Sequence, residues 1–465
     1  MDELTYASAT ALARAIRAKD ISATEVVHAY LQRIAEVNPA LNAVVQLCAE
    51  AAQAEARAAD VALARGQITG PLHGVPMTIK DSLDTAGVIT TGGTQGRATF
   101  VPAQDAPVVA RLRAAGAILL GKTNTPELTL AGETDNVIYG RTNNPYDLSR
   151  TPGGSSGGAA AIVAAGGAPF DIGSDTAASI RWPAHCCGIA GIKPTAGRVP
   201  RTGHIIPFGL GARDLLTQNG PMARFVEDLR LILPIICGPD WQDPAIVPMP
   251  LGDPAAVELP RLRVAVHTDN GIMTPTSAIQ DVVRQAAQAL KDASMAVEEA
   301  CPQALARSHT LAADLAAADG RAWVQRLLAH AGTTEVHPWL AANLSPAPAQ
   351  GMSVAEFTAL LEEIDQFRSA MLAFMEHYDI ILCPVNALPA LPHDTWRDAF
   401  RQGAFSYTQA YNVTGWPGAV VRGGTSSEGL PLGVQIVARP WREDVTLAVA
   451  QYLEGVLGGW HRPPL

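Results

Sequence analysis

Cysteine is scarce in this chain: six in 465 residues, scattered apart from the adjacent pair Cys186-Cys187, with no Cys-x-x-Cys. That excludes a disulfide framework. A metal centre made from His185, Cys186, Cys187 and His204 is disfavoured, because two adjacent cysteines point in different directions and free cysteines are commonly buried as small hydrophobes. Basic charge is also short, with 34 Lys+Arg against 44 Asp+Glu and a formal net charge of −10. Nucleic acid or an anionic membrane is therefore not the expected partner. No apolar run approaches the ~18–20 residues of a membrane span; Leu231 to Cys237 is the most apolar local stretch and is too short. The start, Met-Asp-Glu-Leu-Thr-Tyr, has neither a basic n-region nor an apolar h-region, so no secretory signal is visible. Neither an internal repeat nor a linker divides the chain. These absences lead us to expect a cytoplasmic, metal-free protein folded as one domain over 1–465.

What the chain has in quantity is apolar residues, 48% against 17% charged, which implies a substantial buried core. Ser22-Ala-Thr-Glu25 is a capping-box pattern, and Val26, Val27, Tyr30, Leu31 and Ile34 then share one helical face. The spacing predicts N-terminal helices over 5–65, the last from about Gln46 to Arg65 and stopped by Gly66. Val75–Lys80 reads as a short buried strand. Asp105 is placed to cap a helix running to Ala115, with Ala117–Leu120 as the next strand. Residues 157–165 read as a tightly packed helix and Ala168–Gly173 as a strand. Asp175–Ser179 then sits at a strand's exit, where active-site loops commonly emerge. A stretch rich in proline and aspartate over 238–260 reads as a surface crossing. Residues 277–376 read as mostly helical with a loop at 347–351, and Asp379–Pro384 and Leu432–Val437 as strands of the same sheet. This alternation predicts an α/β layered architecture.

Three separated segments carry chemistry. Thr151-Pro-Gly-Gly-Ser-Ser-Gly-Gly-Ala-Ala-Ala161 and Gly173-Ser-Asp-Thr-Ala-Ala-Ser-Ile-Arg-Trp-Pro183 each hold serines among small residues. Upstream, Lys80 closes the apolar run Val75-Pro-Met-Thr-Ile79. A serine hydroxyl is a weak nucleophile until a base takes its proton. Lysine can be that base when burial lowers its pKa by roughly 2–3 units. Taken singly these residues have bland readings: serines beside glycines are usually turn residues, and a lysine closing a strand is usually solvated.

The segments together resemble the amidase signature family. The likeness extends through Cys187-Gly-Ile-Ala-Gly-Ile-Lys-Pro-Thr195, Gly70-Pro-Leu-His-Gly-Val-Pro76, Gly121-Lys-Thr-Asn124, Asn143-Asn-Pro-Tyr-Asp147 and Gly429-Leu-Pro-Leu-Gly-Val-Gln435. The resemblance implies a single α/β domain, a central mixed twisted sheet covered by helices on both faces. Its core would span about 65–225 and 378–465, with a variable, mostly helical region over about 238–377. It further implies that Ser179 is the nucleophile, Ser155 a bridging serine and Lys80 the base, with an oxyanion hole of backbone N–H groups from Thr176, Ala177, Ala178 and Ser179. Ser156 either positions Lys80 or caps the following helix, and Asp175 and Arg181 form a buried supporting pair. Lys122, His73 and His204 read as structural. The family usually has Gly-Gly where this chain has Ala177-Ala178; were either position to need positive φ, alanine would add strain on the order of 1 kcal/mol.

The implied activity is hydrolysis of linear amides, aryl amides or carbamates among them, through an acyl-enzyme, with no cofactor and with a small-molecule substrate as partner of a monomer or homodimer. Leu128, Leu130, Ile138, Tyr139, Trp339, Phe405 and Tyr411 are expected to shape the pocket, and with few charges among them uncharged, partly apolar substrates are expected over free glutamine. Three rivals stand beside this reading, one of them a non-catalytic binding protein left by the alanine replacements. A glutamine-hydrolysing amidotransferase subunit would need partner chains. An α/β-hydrolase esterase would use Ser156 in the elbow pattern Gly154-x-Ser156-x-Gly158.

Overall fold

The structure, a computed structural model, describes residues 2–207, 216–344 and 351–465. Its spine is a sheet of eleven strands: β1 (Val44–Leu47), β2 (Pro76–Lys80), β3 (Ile118–Thr123), β4 (Phe170–Asp175), β5 (Ala190–Lys193), β6 (Gln218–Ala223), β7 (Arg263–Val266), β8 (Ala296–Glu299), β9 (Ile380–Pro384), β10 (Gly418–Thr425) and β11 (Pro431–Ala438). They lie in the order β1-β3-β2-β4-β6-β5-β10-β11-β9-β7-β8. The sheet is mixed, as expected. β2 runs parallel to β3 and β4, and β7 parallel to β8 and β9. The pairs from β4 through β6, β5, β10 and β11 to β9 are antiparallel, as is β1 on β3. Parallel neighbours need a crossover rather than a hairpin; the helices Pro107–Ala114 and Ser277–Asp292 supply it for β2–β3 and β7–β8.

Every residue of β2, β3, β4, β9 and β11 is buried. So is every residue of the helix Gly157–Ala164, whose sequence GGAAAIVA has no polar face to offer water. Its glycines follow from close approach. A Cβ on Gly158 would lie 2.4 Å from the Asn124 backbone nitrogen, and one on Gly157 2.3 Å from Thr134 Oγ1. Among the described residues, no helix is long and apolar enough to cross a membrane.

Several expectations are corrected. Val44–Leu47 is strand β1, captured by β3, and the alanine-rich helix begins only at Ala49. Asp105 caps nothing: it accepts the Ala86 N–H at 2.7 Å and faces Arg113 at 3.5 Å, while the helix starts at Pro107 behind Ala106. Ala296–Glu299 interrupts the helical middle region as β8. Of the loop expected at 347–351, residues 347–350 lie outside the described residues.

Candidate active site

Strands β2 and β4 are parallel neighbours, with Thr78 opposite Asp171 and Ile79 opposite Ile172. Lys80 at the end of one and Ser174 near the end of the other therefore reach the same edge of the sheet. Ligand sites of open α/β sheets form at such carboxyl ends. The start of the Gly157–Ala164 helix brings two more serines to that point. Gly173 makes room for them, since a Cβ there would meet Ser156 Oγ at 2.8 Å.

Lys80 is fully buried, and its Nζ lies 2.6 Å from Ser155 Oγ, 2.9 Å from Ser156 Oγ and 3.0 Å from Ser174 Oγ. It has no carboxylate partner among these contacts. Burial pushes its pKa down to about 7, against the pull of Asp175 and Asp171, which favour the charged form. An amine with a pKa near 7 held against hydroxyls has the chemistry a general base needs. The Ser156 hydroxyl makes no capping bond to the helix it precedes, so of its two expected roles the structure displays the contact with Lys80.

After β4 the chain turns through 176–180 into the helix Arg181–Cys187. Asp175 fixes that turn: its carboxylate accepts the Ile180 N–H at 3.1 Å, the Arg181 Nε at 3.0 Å and the Asn412 Nδ2 at 2.9 Å. Burial works against the Asp175 charge, yet Arg181 and Asn412 outweigh it and hold the carboxyl down to about 2. Arg181 also donates to the Thr408 carbonyl and to Gln435 Oε1. The expected pair is present and wholly buried.

Inside this frame the N–H groups of Thr176, Ala177, Ala178 and Ser179 donate to no acceptor among the described residues. Buried or pocket-lining donors left open in succession can receive a developing negative charge. Neither Ala177 nor Ala178 has positive φ, so the alanine pair carries no backbone strain there. The Ser179 carbonyl accepts the Ser156 N–H at 3.2 Å. The Ser179 hydroxyl makes no hydrogen bond of its own among the described residues, so the link from Ser179 to Ser155 is the one contact of the expected relay not formed in this state. Catalytic hydrogen bonds commonly tighten only with substrate in place.

Ser179, Thr176, Ala177 and Ala178 line a cavity of about 320 Å³. Of the expected wall, Leu130, Trp339 and Phe405 line it; Leu128, Ile138, Tyr139 and Tyr411 do not. Tyr139 instead accepts from Gln46 Nε2 at 2.9 Å, and Tyr411 is buried against Cys383. Sequence reading missed Trp323, in the middle-region helix Ala322–Ala331, and Trp396 and Phe400, in the helix Trp396–Arg401 that follows β9. It also missed three arginines, Arg321, Arg397 and Arg401, with no acidic residue among the lining groups. The aromatic wall is continuous: Trp339 to Trp396 at 5.9 Å, Trp396 to Phe400 at 6.3 Å, Phe400 to Phe405 at 5.5 Å, and Phe405 to Trp182 at 5.3 Å between ring centroids.

The remaining singled-out residues lie elsewhere. Lys122 Nζ ties down the 83–90 loop through the Leu83 carbonyl, Thr85 and Thr90, and His73 bonds to Thr69 and the Ala59 carbonyl. His185 accepts the Gly433 N–H at 2.9 Å, and Cys186 and Cys187 are buried thiols. The elbow pattern around Ser156 lacks its strand, since 143–152 holds only isolated bridges. His204 is buried, its Nε2 2.9 Å from Ser174 Oγ and so one contact removed from Lys80. Ser174 carries no sequence signal that sets it apart from the serines around it.

A buried lysine thus lies against serine hydroxyls, beside a loop of open N–H groups at a sheet's carboxyl edge. Residues 25–447 match the family described as Amidase, and the chain belongs to that family. The chain is 36% identical to the indoleacetamide hydrolase of Bradyrhizobium diazoefficiens, over 97% of this chain and 86% of that protein. It is 35% identical to a component of the glutamyl-tRNA(Gln) amidotransferase of a Roseiflexus species, over 95% of this chain and 94% of that one. Among solved structures, 6-aminohexanoate cyclic dimer hydrolase superposes with a TM-score of 0.85 at 30% identity, covering 99% of each chain. The protein is an amidase by family.

Proposed function

We propose that the chain is a free-standing amidase acting through an acyl-enzyme on Ser179, with Ser155 as bridge and Lys80 as base. The observation that carries this is the buried Lys80, its pKa held down to about 7, with its Nζ 2.6 Å from Ser155 Oγ. Neutral Lys80 takes the Ser155 proton while Ser155 takes that of Ser179, whose Oγ adds to the amide carbonyl. The N–H groups of 176–179 receive the oxyanion, each such donor contributing about 3–4 kcal/mol in the transition state. The proton returns along the same path to the leaving nitrogen, because an amide anion leaves poorly. Water, deprotonated by the same relay, then releases the acid. Asp175 and Arg181 support the loop without touching the reacting atoms, and no cofactor enters the scheme.

The substrate class we infer is an amide or carbamate with an aryl or extended apolar group. The wall of Trp323, Trp339, Trp396, Phe400 and Phe405 supports it, and so does the likeness to a hydrolase named for indoleacetamide. The three lining arginines amend the uncharged substrate expected from sequence; an acceptor or carboxylate on the far end of the substrate suits them. Fluorophosphonate labelling with peptide mapping tests the nucleophile. Label on Ser179, abolished in Ser179→Ala, is expected; label on Ser156 overturns the assignment. The likeness to an amidotransferase component favours one alternative, a glutamine-hydrolysing role within a complex. Turnover of anilides by the purified chain alone decides against that role, and glutaminase activity appearing only with partner chains decides for it.

A further inference from the structure

We propose that His204 is a positioning residue for Lys80, acting through Ser174 to aim the single lone pair of the neutral amine at Ser155. The role rests on Lys80 being the base, as read above.

A neutral lysine amine has two N–H groups and one lone pair. Lys80 Nζ has three hydroxyl neighbours, Ser155, Ser156 and Ser174. For Lys80 to take a proton from Ser155, the lone pair faces Ser155, so the N–H groups donate to Ser156 and Ser174. Each of those serines must then send its own proton elsewhere. Ser156 has the Ser174 carbonyl at 3.3 Å. Ser174 Oγ has, apart from Lys80, a single neighbour within hydrogen-bond distance among the described residues, His204 Nε2 at 2.9 Å. Nε2 must therefore accept, which puts the ring proton on Nδ1, where the Ile206 carbonyl lies at 3.2 Å.

The opposite tautomer reverses everything. The Ile206 N–H also lies 3.1 Å from Nδ1; were Nδ1 to accept it, Nε2–H would donate to Ser174. The Ser174 proton would then turn to Lys80 and occupy the lone pair that Ser155 needs. One side chain thus selects between a productive and a blocked base. The productive tautomer leaves the Ile206 N–H without that acceptor, a cost borne at the loop.

The local fold holds the ring where this selection operates. His204 pairs with Leu83 as an isolated bridge, the Ile205 N–H donates to the Ser82 carbonyl at 2.8 Å and the Asp84 N–H to the Gly203 carbonyl at 2.8 Å. The 203–205 turn is thereby strapped to the chain leaving β2, three residues past Lys80. The ring is buried. Burial, followed by the charge of Lys80, pushes it down to about 3, so it stays neutral across the working range. The charged groups bearing on this unit are Asp171 and Asp175 towards Lys80, with Arg181 pairing Asp175, and Arg201 and Arg97 towards His204.

Four purified variants test the proposal on an anilide across pH: His204→Leu, His204→Gln, Ser174→Ala and the Ser174→Ala/His204→Leu double variant, with Lys80→Ala as control. A glutamine can place an acceptor oxygen near the site of Nε2; leucine cannot. We expect His204→Leu to lower kcat by about tenfold or more, with KM changed less than twofold. The acid limb of its pH–rate profile should move to lower pH, because Ser174 no longer accepts from the ammonium. His204→Gln should recover most of the rate. In the Ser174→Ala background the leucine substitution should add less than a twofold further loss, since its only route is gone. Normal kcat in His204→Leu, or a loss that persists in full when Ser174 is alanine, overturns the proposal. Should His204→Leu fail to fold by circular dichroism, the Ser174→Ala profile and the glutamine variant carry the same test: an unshifted acid limb in Ser174→Ala overturns it. Turnover surviving in Lys80→Ala would instead defeat the underlying relay, so the two failures are distinguishable.

Discussion

Lys80 and Asp175 are buried ionisable side chains beside the same serine, Ser174, one by a 3.0 Å contact and the other as its neighbour in the chain, and they are tuned in opposite directions. Lys80 hydrogen-bonds only to hydroxyls and its pKa falls to about 7; Asp175 meets a guanidinium and stays charged. Two predictions belong at this scale. The pH–rate curve should rise with an apparent pKa near 7 as Lys80 gives up its proton, and both Lys80→Ala and Ser179→Ala should lower kcat by orders of magnitude with folding intact. A rate constant down to pH 5 would contradict lysine as base. For Asp175 the sign is the reverse. Its carboxyl sits near 2 in the folded protein against an ordinary value near 3.8, so the stabilisation it gives is complete above about pH 4 and is lost as pH falls through 2. Asp175→Asn leaves Arg181 buried without its countercharge and should cost about 3–5 kcal/mol, read from urea denaturation at pH 7.

At the scale of elements, the nucleophile loop and the helix Gly157–Ala164 respond to substitution in different ways. Ala177→Gly and Ala178→Gly should bring no gain in kcat and should destabilise by about 0.5–1 kcal/mol, because neither alanine holds a left-handed conformation. Differential scanning calorimetry and kinetics check both halves. Gly158→Ala, by contrast, drives a methyl into backbone of the 124 region and should abolish folded protein in expression trials. The strands and helices that build the site were legible where they carry local signals. The Ser22–Glu25 capping box opens its helix as predicted, and Lys80 ends a buried strand. Strands β5, β6 and β10 were not legible, since Gly and Pro within Gln-Asn-Gly-Pro-Met-Ala and Gly-Ala-Val-Val-Arg-Gly-Gly-Thr speak against strand locally. Their ladders come from neighbours far away in sequence. The Ser174–His204 contact was hidden for the same reason: the helix Arg181–Cys187 and strand β5 intervene between its partners.

The whole molecule divides its labour between a sheet that sets the chemistry and helices that wall the cavity, some in the middle region and some between β9 and β10. Tyr411, expected in that wall, belongs to the core behind it, whereas Trp396 and Phe400 face the cavity. Trp396→Ala should therefore raise KM for anilides about tenfold while leaving KM for a short aliphatic amide near its original value, measured with the purified enzyme. Family membership follows from nearly the whole chain, whereas the cavity wall stands in helices where single-sequence patterns give helix without saying which face meets a ligand.

The dryness around Lys80 has a consequence for how the enzyme comes to life and fails. An amine loses its proton at neutral pH only when the last waters are expelled from between β2, β4 and the serine turn. A chain with its strands paired but its interior still wet would hold an ordinary lysinium and be inert. Competence is thus the final event of folding and the first casualty of loosening. Along a denaturant titration, anilide turnover should vanish before the far-ultraviolet dichroism changes, and the gap between the two curves measures how thin the dry shell is.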